Sequence, residues 1–227
     1  MKKSQSLINY AQLIDHTYLK SDAQVHHIDK LITEAKQHGF KTICVNDTWT
    51  NYAHQQLKNS NVGLTVVIGF PLGACTTATK VFEAKNAIAN GADEIDMVMN
   101  IGLLKDHKHE QIIDEIAKVK HTIGNKILKV IIETALLTKK EITQATNLVI
   151  EGKADFVKTS TGFSTRGATF SDIKIMHKVA KGKIQIKASG GIKSFADLKK
   201  MVILGATRIG TSSAVSLLKG HHFTSQY

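Results

Sequence analysis

The chain has 227 residues, 42% of them hydrophobic, with 16 glycines, one proline and a formal charge of +11. That length falls within the ~200–250 residues over which a single α/β barrel closes, and the apolar share allows a sizeable core. The positive charge is almost all lysine scattered along the chain, Arg166 and Arg208 being the only arginines, which argues against a nucleic-acid reader, where arginine clusters and interleaved aromatics are wanted.

In chain order, short β-rich apolar runs alternate with helical patterns. Leu13–Thr17 reads as the first strand. Val25, Ile28, Leu31, Ile32 and Ala35 then fall on one helical face that ends at Gly39. Strands follow at Lys41–Asn46, Leu64–Phe70 and Glu94–Asn100, the last preceded by Gly91. A helix with Ile112, Ile113, Ile116 and Val119 on one side leads to a fifth strand, Ile127–Glu133. Thr138-Lys-Lys-Glu141 has the form of a capping box before a helix carrying Ile142, Ala145, Leu148 and Val149. The remaining strands are Asp155–Ser160, Ile184–Ser189 and Thr207–Gly210, with Ser194-Phe-Ala-Asp197 as an acidic capping variant between the last two. Gly39, Gly91, Gly152, Gly182 and Gly205 stand where a left-handed residue ends a helix, and Gly63 and Gly124 are assigned the same role. Eight strand–helix units without a change of period predict a single-domain (β/α)8 TIM barrel over residues 1–227, with a polar, mobile tail at 219–227.

Catalytic groups of such barrels come from the C-terminal ends of different strands. A charge inside an apolar strand needs an explanation, because burial disfavours it unless it is paired. Asp15, Asp96, Lys129, Glu133, Lys158 and Lys187 are such charges. Alternation puts Phe156 and Lys158 on one strand face, and if Ile184 and Ile186 meet the helices, Lys187 points into the barrel. Neighbouring strands lie ~4.8 Å apart, so two lysines at matching heights depress each other's pKa, and one becomes a neutral amine suited to Schiff-base formation with a carbonyl. The bland alternative is that each lysine is held by a carboxylate such as Glu133 or Asp96.

Asp96 shares a strand face with Glu94 and Val98 and could shuttle protons for the lysine pair. Asp15 could bind a hydroxyl, orient water or cap a turn. Lys129 and Glu133 are candidates for a supporting charge network. Ser189-Gly190-Gly191 after the seventh strand and Gly210-Thr-Ser-Ser213 after the eighth stand where barrels bind phosphate through backbone N–H groups.

Several stretches resemble the deoxyribose-phosphate aldolases: Leu13-Ile-Asp-His-Thr17, Val67-Ile-Gly-Phe-Pro-Leu-Gly-Ala74, Gly91-Ala-Asp-Glu-Ile-Asp-Met-Val-Met-Asn100, Val130-Ile-Ile-Glu-Thr134, Phe156-Val-Lys-Thr-Ser-Thr-Gly-Phe163 and Lys187-Ala-Ser-Gly-Gly-Ile192. They run in the family's order and cover nearly the whole chain. The resemblance implies Lys158 as the Schiff-base nucleophile, Lys187 as the neighbouring cation and Asp96 as the proton shuttle acting with water. Gly190, Gly191, Ser212 and Ser213 become the phosphate site, with Thr161 in the same substrate-binding set.

The implied reaction is reversible cleavage of 2-deoxy-D-ribose 5-phosphate to D-glyceraldehyde 3-phosphate and acetaldehyde, in deoxyribonucleotide catabolism, without metal or organic cofactor. The choice between the two lysines comes from the resemblance, since spacing leaves it open. Some relatives carry a lysine near the phosphate where this chain has Phe163, and often a proline where it has Asp47. Some also end in a tyrosine that helps protonate the enamine carbon, which makes Tyr227 a candidate beside the reading of the tail as disordered.

Another Schiff-base aldolase or a transaldolase-like enzyme would share the strand-end lysines but not the full motif set. A non-catalytic phosphate- or nucleic-acid-binding barrel would leave the lysines unshifted. Cys44 and Cys75 form no CxxC pair and have no histidines at ligand spacing, so neither a disulfide framework nor a zinc site is expected. No apolar run approaches the ~20 residues of a membrane helix, and Met1-Lys2-Lys3-Ser4-Gln5 opens no secretory signal, so a cytoplasmic protein with no membrane or nucleic-acid partner is expected. Its expected partners are the phosphorylated sugar and acetaldehyde, with a homodimer as the working expectation for assembly.

Overall fold

In the computed structural model, which describes residues 8–220, the alternating runs become strand β1 (Ile14–Thr17), helix α1 (Val25–His38), β2 (Thr42–Val45), α2 (Thr50–Leu57), β3 (Gly63–Ile68), α3 (Thr77–Ala89) and β4 (Glu94–Val98). Two helices, α4 (Ile101–Lys105) and α5 (His109–Ile123), precede β5 (Ile127–Ile131). Then come α6 (Lys139–Glu151), β6 (Phe156–Lys158), α7 (Phe170–Ala180), β7 (Gln185–Ser189), α8 (Phe195–Ile203), β8 (Arg208–Thr211) and α9 (Ala214–Leu218). All strand pairs are parallel, and β8 returns to β1 to close the barrel in sequence order. The expected (β/α)8 TIM barrel is the architecture found.

Period-2 alternation divides each strand between two environments. Ile14, Ile43, Leu64, Val66, Ile95, Met97, Leu128, Val130, Val157, Ile186 and Ile209 join the buried apolar cluster shared with the helices. The opposite face carries Asp15, Thr65, Glu94, Asp96, Lys129, Lys158, Lys187 and Arg208, all buried. Barrel interiors are mostly filled by branched apolar side chains. Here they are filled largely by charge.

The helix ends follow local chemistry with three corrections. The Thr138–Glu141 capping box forms in both directions, Glu141 N–H donating to Thr138 and Thr138 N–H to the Glu141 carboxylate. Ser194 caps α8, but Asp197 accepts from Lys193 N–H rather than closing the box. Gly152 is not left-handed; Lys153 takes that conformation, at φ 62°. Glycine is required at 152 for packing, because a Cβ there would lie 2.6 Å from the Ile116 side chain where α6 crosses α5. Gly63 opens β3 instead of ending a helix, and Asn59, at φ 61°, makes the left-handed turn after α2.

Candidate active site

Parallel pairing sets Lys158 directly beside Lys187, and Asp96 beside Lys129. The four groups therefore meet inside the barrel. One oxygen of Asp96 accepts from Lys158 Nζ and Lys187 Nζ, each at 2.7 Å, and the other from Lys129 Nζ at 2.7 Å. Asp15 pairs with Lys187 and, at 2.7 Å, with Arg208; both its oxygens face cations, and it caps no turn. Glu94 sits below, 2.7 Å from Lys129 and 2.8 Å from Arg208. Asp15, Asp96, Lys129 and Lys187 are fully buried.

Among the described residues the ion-paired cluster thus contains four cations, Lys129, Lys158, Lys187 and Arg208, against three carboxylates, Asp15, Glu94 and Asp96. It balances only when one amine gives up its proton. A net charge in a dry interior is costly, so neutrality favours that state. The local environments say which amine it is. Burial depresses the Lys158 pKa, and although Asp96 opposes this, the nearby Lys187 ammonium adds to the fall. Burial also acts against the charge of Lys187, but Asp15 and Asp96 outweigh it and raise its pKa. Lys129 is raised as well, burial being overcome mainly by Asp96. In the carboxylates Asp15 and Asp96, burial is overcome by the surrounding lysines, and both are held well below the usual range. Of the three amines, Lys158 alone is biased toward the neutral form.

Above the cluster, Cys44 and Val67 from β2 and β3 pack with Leu19 and Phe70 as an apolar wall. Burial raises the Cys44 thiol pKa, so it is poorly ionised, as expected of an inert buried cysteine. Phe163 meets Phe70 edge-on with ring centroids 5.3 Å apart, so an aromatic contact occupies the position where some relatives carry a lysine. Arg166, on the same loop, offers no free replacement cation, because it is held by Asp172 at 2.6 Å and by the Thr134 carbonyl at 2.7 Å.

Glu133 departs from the expected charge network. At φ 48° it turns away from the lysines and accepts from the amide and hydroxyl of Thr161. The Thr161 hydroxyl also accepts from Phe163 N–H at 3.0 Å.

The two glycine-bearing loops lie side by side, as expected. Gly190 and Gly191 are both left-handed, and Gly190 N–H donates to the Gly210 carbonyl at 3.4 Å. A Cβ on Gly191 would lie 2.7 Å from the Ala168 oxygen, so glycine is needed there for close approach as well as for φ. Ser213 N–H donates to the Thr211 hydroxyl at 3.1 Å. Ser212 and Ser213 line a cavity of about 280 Å³ with Thr17, Tyr18 and His27. Tyr227 lies outside the described residues, as do residues 221–227 of the tail.

Sequence reasoning missed Arg208 as a site residue, although the test applied to the lysines, a charge within an apolar strand, selects it equally well. It also missed the Arg166–Asp172–Thr134 contacts, for which nothing local gives a signal.

The chain is similar throughout to known aldolases. It is 52% identical to the deoxyribose-phosphate aldolase of Mycoplasma mobile over 93% of this chain and 98% of that one. With the deoxyribose-phosphate aldolase of Mycoplasmopsis pulmonis it shares 54% identity over 94% and 97% of the two chains. The solved tetrameric deoxyribose phosphate aldolase of Aeropyrum pernix superimposes with a TM-score of 0.85 at 32% identity, over 92% of this chain and 89% of that one. Residues 10–222 match the model of the DeoC/LacD family aldolases, and the chain belongs to that family.

Proposed function

We propose that the protein reversibly cleaves 2-deoxy-D-ribose 5-phosphate to D-glyceraldehyde 3-phosphate and acetaldehyde, with Lys158 as the nucleophile. The observation that carries this reading is the buried cluster of four cations and three carboxylates, in which burial and Lys187 bias Lys158 alone toward a free amine. Neutral Lys158 adds to the C1 aldehyde, and loss of water from the carbinolamine leaves a protonated Schiff base. The C2–C3 electron pair then becomes the C1=C2 double bond of an enamine as the C=N pair moves onto nitrogen, while the C3 hydroxyl proton passes to a base and glyceraldehyde 3-phosphate departs. Protonation at C2 and hydrolysis release acetaldehyde and restore the amine.

Asp96, 2.7 Å from both Lys158 and Lys187, is suited to relay these protons through water, and Lys187 and Lys129 keep it ionised. Lys187 serves as the permanent cation and Asp15 as its counter-ion. The glycines at 190 and 191, with Ser212 and Ser213, are assigned to the phosphate. Thr161 is assigned to the substrate through the acceptor capacity left on its hydroxyl. No organic cofactor enters these steps.

Borohydride reduction in the presence of acetaldehyde or 2-deoxyribose 5-phosphate, followed by peptide mass mapping, tests the assignment. The adduct is expected on Lys158. An adduct on Lys187 would exchange the two lysine roles, and its absence from folded protein would remove the Schiff base. Because burial and Lys187 lower the Lys158 pKa, trapping at limiting acetaldehyde should rise with pH and level off below the ~10.4 of an ordinary lysine. A rate still climbing through that value would mean an unperturbed amine.

A phosphorylated metabolite as substrate supports a cytoplasmic setting, and the free thiols of Cys44 and Cys75 suit a reducing compartment. No helix among the described residues is long and apolar enough to cross a membrane. We further propose a homodimer, in which the exposed apolar side chains of Leu72, just before α3, and Phe82, on α3, are available to a second copy. Light scattering should return twice the 24.9 kDa chain mass, and a monomer mass would dismiss this assembly.

A further inference from the structure

The inner face of β7 continues upward from Lys187 to Ser189, two residues on and immediately before Gly190. Ile186 and Ala188 point the other way, into the apolar cluster around the barrel. Ser189 is 6% exposed, and its hydroxyl has no hydrogen-bond partner among the described residues. Its backbone is fully used, the N–H donating to Thr159 Oγ1 at 3.1 Å and the carbonyl accepting from Ala168 N–H at 3.0 Å. The side chain is therefore held in place while its hydroxyl is left over. Gly210, the neighbour of Ser189 on β8, makes room for it, since a Cβ at 210 would lie 2.4 Å from Ser189 Oγ and 3.0 Å from Lys187 Cε. The hydroxyl thus lies beside the end of the Lys187 side chain, inside the barrel. Burying a hydroxyl without a partner is unfavourable, and in a binding site it marks a group kept for a ligand.

The position constrains which ligand atom it meets. Under the proposed function, on which this inference rests, C1 of the substrate is bonded to Lys158 in the lysine layer and the phosphate lies at Gly190 and Gly191. Ser189 stands between these two anchors. Of the substrate's free hydroxyls, the one on C3 must give its proton to a base in the lysine layer, where Asp96 is. The C4 hydroxyl, one carbon closer to the phosphate, takes no part in bond cleavage. We propose that Ser189 Oγ hydrogen-bonds this C4 hydroxyl, which is the C2 hydroxyl of glyceraldehyde 3-phosphate, and thereby selects acceptor aldehydes that carry it.

A site built to bond a substrate hydroxyl discriminates against the analogue without it, because its own polar group is then left unpaired. The test compares condensation of acetaldehyde with D-glyceraldehyde 3-phosphate and with 3-phosphooxypropanal, which lacks that hydroxyl, in the parent protein and in Ser189→Ala. The parent is expected to prefer glyceraldehyde 3-phosphate, and the ratio of the two kcat/KM values should narrow by about three- to tenfold in the variant, the worth of one neutral hydrogen bond. The unliganded variant should melt no lower than the parent, since it loses only an unpartnered hydroxyl; a merely structural serine would lower the melting temperature and leave the ratio alone. An unchanged ratio, or narrowing in Ser160→Ala instead, overturns the assignment. Ser160 is the fit comparison because its hydroxyl is also buried without a partner among the described residues. Failure of the parent itself to condense either aldehyde would instead count against the proposed function, so the two failures are distinct.

Discussion

Replacement of Lys158 by methionine is expected to reduce turnover of 2-deoxyribose 5-phosphate by on the order of 10⁴-fold or more, since the covalent route is lost with the amine. The same change should leave the fold intact. With Lys158 removed, Lys129, Lys187 and Arg208 face Asp15, Glu94 and Asp96, three charges of each sign. That is the balance the parent reaches with Lys158 neutral, and methionine fills much of the vacated volume. Lys158→Arg instead installs a charge that cannot be given up. It should be equally inactive yet destabilised by a few kcal/mol, about the cost of an uncompensated buried charge. Activity assays and thermal melts on the pair separate chemistry from charge balance. Turnover by Lys158→Met within tenfold of the parent would move the nucleophile elsewhere, with Lys187 the first alternative. Equal melting temperatures for the methionine and arginine variants would refute the neutrality argument.

Asp96→Asn should be damaging in both respects. Asp96 is the acceptor shared by Lys129, Lys158 and Lys187, and an amide there leaves the cations of the cluster facing only two carboxylates, Asp15 and Glu94. A stability loss of about 3–5 kcal/mol is expected at neutral pH, as for other buried pairs broken from one side. Turnover should fall by roughly 10²–10⁴-fold if the carboxylate relays protons. The pH dependence has a definite sign. Burial raises the Asp96 pKa, but the three lysines outweigh it, so the folded value lies below the unfolded one of ~3.9. Its stabilisation is therefore complete above the unfolded value and lost as pH falls through the folded one. Urea unfolding as a function of pH should show the parent losing stability in acid more steeply than Asp96→Asn. Parallel curves, or equal stability at neutral pH, would mean that Asp96 is not the centre of the cluster.

Most of the fold was legible because it is a matter of local periodicity. The eight strands lie where short apolar runs alternate with 3.6-residue patterns, and the Thr138–Glu141 box forms as written. The failures were local too. Gly152 looked like a helix terminator, but its reason is Ile116, thirty-six residues earlier, and no pattern around position 152 contains that information. Asp96, Lys158 and Lys187 were legible as charges that an apolar strand does not tolerate without a purpose. Arg208 obeyed the same rule and was passed over. Glu133 was misplaced for a backbone reason, since strand alternation cannot anticipate the left-handed turn that sends its carboxylate to Thr161.

The sequence by itself determined the order of elements, the inward direction of the charged residues and, through its motif resemblance, the aldolase family. All of these depend on near neighbours along the chain, or on ordered patterns that survive without coordinates. It left the two lysines interchangeable, because by alternation both are buried, inward and at one height. Only closure of the barrel separated them. Bringing β8 against β1 places Asp15 beside Lys187 but not Lys158, across 172 positions of sequence. One lysine gains a second carboxylate and keeps its proton, while the other, sharing Asp96 alone, is left biased toward the neutral form.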